Sequence, residues 1–159
     1  MTTTQQLQFL NRLLGTWMTE ATHPAVPGAV VHGTATMEWL EGERFLIFRS
    51  RTDRPEFPSA ISIIGDTEHD RADGDGDATP IPGDRPLRMQ YFDSRGVFRV
   101  YEVRGDDKTW RIWREAPGFS QQFTGAFADG GDTIVGQWQL RRDDVHWVDD
   151  LRITYRRQR

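Results

Sequence analysis

Val97-Phe98-Arg99-Val100-Tyr101-Glu102-Val103-Arg104 and Lys108-Thr109-Trp110-Arg111-Ile112-Trp113-Arg114, joined by Gly105-Asp106-Asp107, read as two alternating strands around a tight turn. In the first, Val97, Arg99, Tyr101 and Val103 share one face while Phe98, Val100 and Glu102 take the other. In the second, Trp110, Ile112 and Arg114 oppose Arg111 and Trp113. Large side chains occupy both faces, so alternation separates the faces without saying which is interior.

Working outward, similar runs occupy residues 15 to 23, 31 to 40, 44 to 52, 59 to 66, 87 to 93, 119 to 127, 133 to 141 and 145 to 156. In the run from 133, Ile134, Gly136, Trp138 and Leu140 stay together. Glu41-Gly42-Glu43, Ser94-Arg95-Gly96, Asp129-Gly130-Gly131 and Arg142-Asp143-Asp144 are too short for parallel crossovers, which need a dozen or more residues. About ten antiparallel strands in one 159-residue domain are most readily stabilised by closing into a barrel, which removes sheet edges and can leave room for a ligand. The expected fold is all-β: one antiparallel β-barrel of about ten strands spanning residues 1–159, with a short N-terminal helix. That helix rests on Leu7, Leu10, Leu13 and Leu14, at helical spacing within residues 4 to 14, and serves as a lid or plug. Residues 66 to 86 mix Asp and Glu with Gly and Pro, and are expected to form a mobile loop. Their Asp73-Gly74-Asp75-Gly76-Asp77 run superficially resembles a calcium loop but lacks the closing Glu and the flanking helices.

A formal charge of -4 gives the whole protein no attraction for nucleic acid. Absence of cysteine excludes disulfides, thiolate catalysis and thiolate-held metals, and agrees with a cytoplasmic home. No signal-peptide pattern opens the chain and no run approaches the roughly 20 apolar residues of a spanning helix. A soluble protein without a membrane partner is expected. Homodimerisation enters only as a general prior.

Six Trp, nine Phe and three Tyr can fill a core or wall a cavity for a flat or hydrophobic molecule. Gly15 and Trp17 open the first strand, and a late arginine over the Trp17 face would clasp first and last strands by cation–π contact; Arg156 is preferred over Arg152. His23, beside Pro24 at a strand end, is the best acid/base candidate; its structural role would be to fix the turn from Ala21 to Pro27. His32 reads as strand surface, His69 lies in the acidic stretch and His146 opens the last run. No spacing of zinc ligands is present, so no metal is expected. Arg49, Arg51, Arg99, Arg111 and Arg114 are the candidate inward cations for a flat oxyanion. Asp149 and Asp150 fall on opposite faces, and one of them can pair with an interior arginine.

Leu14-Gly15-Thr16-Trp17, Glu20-Ala21-Thr22-His23-Pro24, Tyr91-Phe92-Asp93-Ser94-Arg95-Gly96, Trp113-Arg114, Pro117-Gly118-Phe119-Ser120 and Gly136-Gln137-Trp138 resemble a family of small bacterial calycin-like proteins of unknown function. More distantly the chain resembles nitrobindins and fatty-acid-binding proteins, whose lipocalin-like barrels hold haem or lipid. The nitrobindin opening expects Gly two residues beyond the Trp, where this chain has Thr19, and the rough counterpart of the iron-ligating His is His146. No haem or other cofactor is therefore expected.

Together these readings favour binding of a small hydrophobic or aromatic ligand with a polar or acidic group, using Arg99, Tyr101, Trp113, Arg114 and Trp138. The alternative is a cofactor-independent isomerase, cyclase or hydratase acting on a secondary metabolite, with His23 and Arg99 catalytic. A solid barrel acting as an interaction protein is the third reading.

Overall fold

The structure, a computed structural model, describes residues 3–67 and 85–159. Helix α1 (Thr3–Phe9) tightens into a 3-10 turn (Leu10–Leu13), followed by β1 (Gly15–Thr22), β2 (Val31–Trp39), β3 (Phe45–Thr52), β4 (Ala60–Gly65) and β5 (Leu87–Asp93). Then come β6 (Phe98–Gly105), β7 (Thr109–Arg114), β8 (Ser120–Ala128), β9 (Thr133–Arg141) and β10 (Val148–Arg157). Each strand pairs antiparallel with its sequence neighbours, and β10 returns to β1 with Trp17 opposite Arg157 and Ala21 opposite Ile153. The ten-stranded closed barrel is the expected fold. β10 begins later than the alternation suggests because Asp143 Oδ1 accepts the Val145 and His146 N–H groups, turning that stretch into a loop.

Packing resolves the faces that alternation left open. Tyr101 and Val103 of β6, Trp110 and Ile112 of β7, and Ile134 of β9 are buried inside, whereas Phe98 and Val100 are exposed outside. Phe92 and Phe98 cover one another on the outer surface, ring centroids 5.0 Å apart, which is how two large apolar residues come to face water.

One end is sealed. Leu10 and Leu13 are fully buried there, and Phe9 packs where a Cβ on Gly105 would lie, so the plug requires glycine at that position. Trp17 donates its indole N–H to the Leu13 carbonyl at 2.9 Å, and Trp39 donates to Asn11 Oδ1 at 2.9 Å. The clasp forms, but with a different arginine from the one expected. Arg157, not Arg156, lies over the Trp17 ring, 4.2 Å from its centroid. Tyr155 points inward, so by period two Arg157 does as well, whereas Arg156 points out and pairs with Glu20 at 3.0 Å. Gly15 permits the clasp: its φ is +126°, and a Cβ there would sit 2.9 Å from Arg157 Nη1.

Of the acidic stretch, Asp66 and Arg85 are described and bridge at 2.6 Å. His69, the calcium-like run and most of the expected mobile loop lie outside the described residues. Among the described residues, no helix is long and apolar enough to cross a membrane and no cluster of His, Asp and Glu is placed to hold a metal ion.

Candidate functional site

Opposite the plug the barrel opens into a cavity of about 340 Å³, within the range of small-molecule sites. Phe48, Trp110, Phe123 and Tyr155 contribute to its apolar lining, with Trp110 5.1 Å from Phe123, 6.0 Å from Tyr155 and 6.1 Å from Phe48 between ring centroids. Tyr101 and Trp138 form an aromatic wall, 5.9 Å apart, and Tyr91 continues it 6.2 Å from Tyr101. Alternation along β5, β6 and β9 points these rings to a common interior. Offset and edge-on geometry lets them pack without stacking face to face.

Polar groups collect toward the rim. The Asp93 side chain is fully buried although its turn is exposed, and it accepts the Tyr91 hydroxyl at 2.7 Å, the Arg95 backbone N–H at 2.9 Å and the Arg95 Nη2 at 2.7 Å. Hydrogen bonding from Arg95, followed by that from Tyr91, holds the Asp93 carboxyl well below the usual carboxylate range. Burial, reinforced by Asp93, pushes the Tyr91 phenol far up, so it remains a donor. Burial also raises Tyr101, which donates to Gln121 Oε1 at 2.9 Å.

Arg99 lines the cavity with its guanidinium 5.2 Å from the Phe119 ring centroid and, among the described residues, has no carboxylate partner. Arg142 approaches Phe119 at 5.7 Å, and Arg114 donates to the Phe119 carbonyl at 3.2 Å. The loop between β7 and β8 thus gathers three arginines.

Of the residues expected from sequence, His23, Arg51, Arg99, Tyr101 and Trp138 line the cavity, and Arg51 turns its Nε to Thr34 Oγ1 at 3.4 Å. Arg114 shares the inward face of β7 but turns to the rim carbonyl and is not part of the lining. Trp113 is displaced from its expected place: it lies on the outer face of β7 near Arg111, whose guanidinium is 5.4 Å from the ring. Alternation makes Trp113 and Arg114 mutually exclusive as inward groups.

His23 Nε2 faces Asp150 Oδ1 at 2.6 Å, while Nδ1 accepts the Ala25 N–H at 3.0 Å. A β-bulge between Asp149 and Arg152 brings both Asp150 and Leu151 to the cavity side, enabling the His23 contact. Asp149 instead accepts Gln139 Nε2 at 2.9 Å. His146 is 77 % exposed, pairs with Asp143 at 2.8 Å and is not in the lining.

Sequence reasoning missed Tyr91, Asp93, Arg95, Ser62 and Trp110 as site residues. The available signal was Asp93-Ser94-Arg95-Gly96, where an Asp caps its own turn and an Arg two residues on can return to the carboxylate.

No protein-family model matches the chain, and no curated protein matches it by sequence. Among solved structures it is similar to Rv2717c from M. tuberculosis, at 15 % identity and a TM-score of 0.63, covering 97 % of this chain and 98 % of that one. It is also similar to the S-type phycobiliprotein lyase CPES from Guillardia theta, at 13 % identity and a TM-score of 0.55, covering 100 % of this chain and 94 % of that one. At these identities the likeness establishes the architecture, a calycin-like β-barrel.

Proposed function

We propose that the barrel binds a small aromatic or otherwise hydrophobic molecule bearing an acidic group, the apolar body against Tyr101, Trp138 and Phe48 and the acid at Arg99. The observation that carries this reading is Arg99, a cavity-lining guanidinium with no carboxylate partner among the described residues, beside an apolar aromatic wall. Such a fork complements a carboxylate or phenolate, and the low-dielectric wall strengthens the contact. The reading places this activity in the cytoplasm, without nucleic acid, membrane or resident cofactor.

The enzyme reading needs a free lone pair on His23. With Nδ1 accepting from Ala25 and Nε2 donating to Asp150, both ring nitrogens already hold the turn. Binding requires neither nitrogen.

Isothermal titration with 2-naphthoate and with 2-naphthylmethanol, on wild type and Arg99→Gln, tests the proposal. Loss of one charge-assisted contact should weaken naphthoate about tenfold or more and leave the alcohol nearly unchanged. Failure of every aromatic acid in a wider panel to bind at millimolar concentration would reject the reading, as would equal naphthoate affinity in Arg99→Gln.

A further inference from the structure

Aspartates fix turns of this barrel by accepting backbone N–H groups, and one of those turns carries more than it needs. Asp106 between β6 and β7 accepts the Lys108 and Thr109 N–H groups, and Asp143 before β10 accepts those of Val145 and His146. Asp93 between β5 and β6 accepts the Arg95 N–H in the same way, yet the Arg95 guanidinium grips it too, with Nε 3.3 and 3.2 Å from its two oxygens and Nη2 at 2.7 Å. The Tyr91 hydroxyl adds a further donor, and the carboxylate is sealed from solvent while the Arg95 side chain is 55 % exposed. Turn geometry does not call for that guanidinium, as the other two turns show.

A guanidinium has more than one edge that can receive an oxyanion. The side edge of Arg95, Nε with Nη2, belongs to Asp93, whereas Nη1 makes no hydrogen bond among the described residues. Arg95 lines the cavity, as do Tyr91 and Arg99. Arg99 stands directly opposite Tyr91 in the ladder of β5 and β6, and the Tyr91 hydroxyl is 2.7 Å from the carboxylate that holds Arg95. The two arginines therefore flank one tyrosine at the open end of the barrel.

Resting on the binding reading above, we infer that Arg95 is a second recognition group for the ligand's acid, its Nη1 edge donating to a carboxylate oxygen, and that Asp93 is the positioning residue that fixes this edge. Asp93 supplies orientation rather than attraction. Its charge balances that of Arg95, so what remains is a donor set in place before the ligand arrives, and little side-chain freedom is lost on binding. Arg99 supplies the uncompensated charge. Two flanking guanidiniums match an acid with two oxygens, so the ligand class narrows from carboxylate or phenolate to carboxylate: one group spanning both arginines, or two groups each taking one.

Titration calorimetry of 2-naphthoate, naphthalene-2,3-dicarboxylate and 2-naphthylmethanol on wild type, Arg95→Gln, Arg95→Lys and Asp93→Asn tests the inference, with circular dichroism confirming that each variant is folded. Arg95→Gln should weaken at least one of the acids about fivefold or more and leave the alcohol within about twofold. Loss on 2-naphthoate identifies one carboxylate spanning both arginines, and loss confined to the dicarboxylate identifies two. Arg95→Lys keeps an ion pair with Asp93 and so protects the fold; it should lose as much acid affinity, because an ammonium committed to Asp93 has no second edge. Asp93→Asn, whose amide offers one acceptor oxygen, should lower acid affinity about threefold with Arg95 itself intact. A merely structural role would weaken acid and alcohol alike. Undiminished affinity of both acids in Arg95→Gln or Arg95→Lys, or equal loss on acid and alcohol, would overturn the inference while leaving the binding reading, which stands on Arg99, intact. If no aromatic acid binds wild type, both fall together.

Discussion

Arg157→Ala should cost about 3 kcal/mol of folding free energy, whereas Arg156→Ala, one residue earlier, should cost about 0.5 kcal/mol or less. The larger figure follows from what Arg157 touches. Its guanidinium is 4.2 Å from the centroid of the buried Trp17 ring, a cation–π contact worth about 1 kcal/mol in this partly desolvated position. It also donates to the Leu14 carbonyl and, at 3.0 Å, to the Arg12 carbonyl; losing those donors adds about 1 kcal/mol each. The Asp132 contact adds little, because that partly exposed carboxylate keeps Arg159 when Arg157 is lost. Arg156 by contrast reaches Glu20 with both side chains about half exposed, where ion pairs contribute little. Urea unfolding followed by tryptophan fluorescence measures both variants. Thermal scans should show Arg157→Ala melting roughly 6–12 °C lower and Arg156→Ala within about 2 °C of wild type. Equal losses for the two, or less than about 1 kcal/mol for Arg157→Ala, would refute the assignment of the clasp.

Gly15→Ala should destabilise by about 2 kcal/mol or more, because its φ of +126° suits glycine and the new Cβ meets Arg157; the Gly15→Ala and Arg157→Ala double variant should then lose less than the sum. Asp93→Asn should cost about 2 kcal/mol at pH 7 through its hydrogen-bond network. Because the folded Asp93 carboxyl is held below its ordinary value, that stabilisation is complete above about pH 4 and is lost as pH falls through the folded value, so the gap from wild type should narrow only below pH 4 in urea titrations. A gap that widens on acidification would contradict this sign. Ferric haem should give no stoichiometric Soret shift that depends on His146, which pairs with Asp143 at the surface rather than lining the cavity; a tight complex abolished by His146→Ala would reverse that expectation.

The strands were legible because alternation and turn chemistry act locally. Gly105-Asp106-Asp107 bends the chain in sequence and in space, with Asp106 Oδ1 accepting the Lys108 and Thr109 N–H groups at 2.8 Å. Which face is inner was not legible, since Phe92 and Phe98 satisfy one another outside as readily as core rings do within. The same uncertainty misdirected the clasp to Arg156, although tying Arg157 to Tyr155 by period two would have corrected it. Arg99, Tyr101 and Trp138 could be nominated because Arg99 and Tyr101 share one face of an alternating run and Trp138 shares a face with Ile134 and Leu140. The Tyr91–Asp93–Arg95 network could not be weighed in advance, because its strength depends on a carboxylate that becomes fully buried only when the strands close around it.

The pairing of β10 with β1 also governs how the molecule is made. Every other ladder joins consecutive strands and can form as they appear, but this seam must wait until Arg157 has been synthesised to meet Trp17. At roughly 5–20 residues per second, a nascent chain would carry β1 with one unpaired edge for several seconds or longer. During that interval Met18, Glu20 and Thr22 alternate outward with inward Trp17, Thr19 and Ala21, so the waiting strand offers both an open backbone and an apolar face. Synthesis speed, chaperone supply and C-terminal truncation should consequently affect the yield of folded protein far more than their effects on the finished barrel's contacts would suggest.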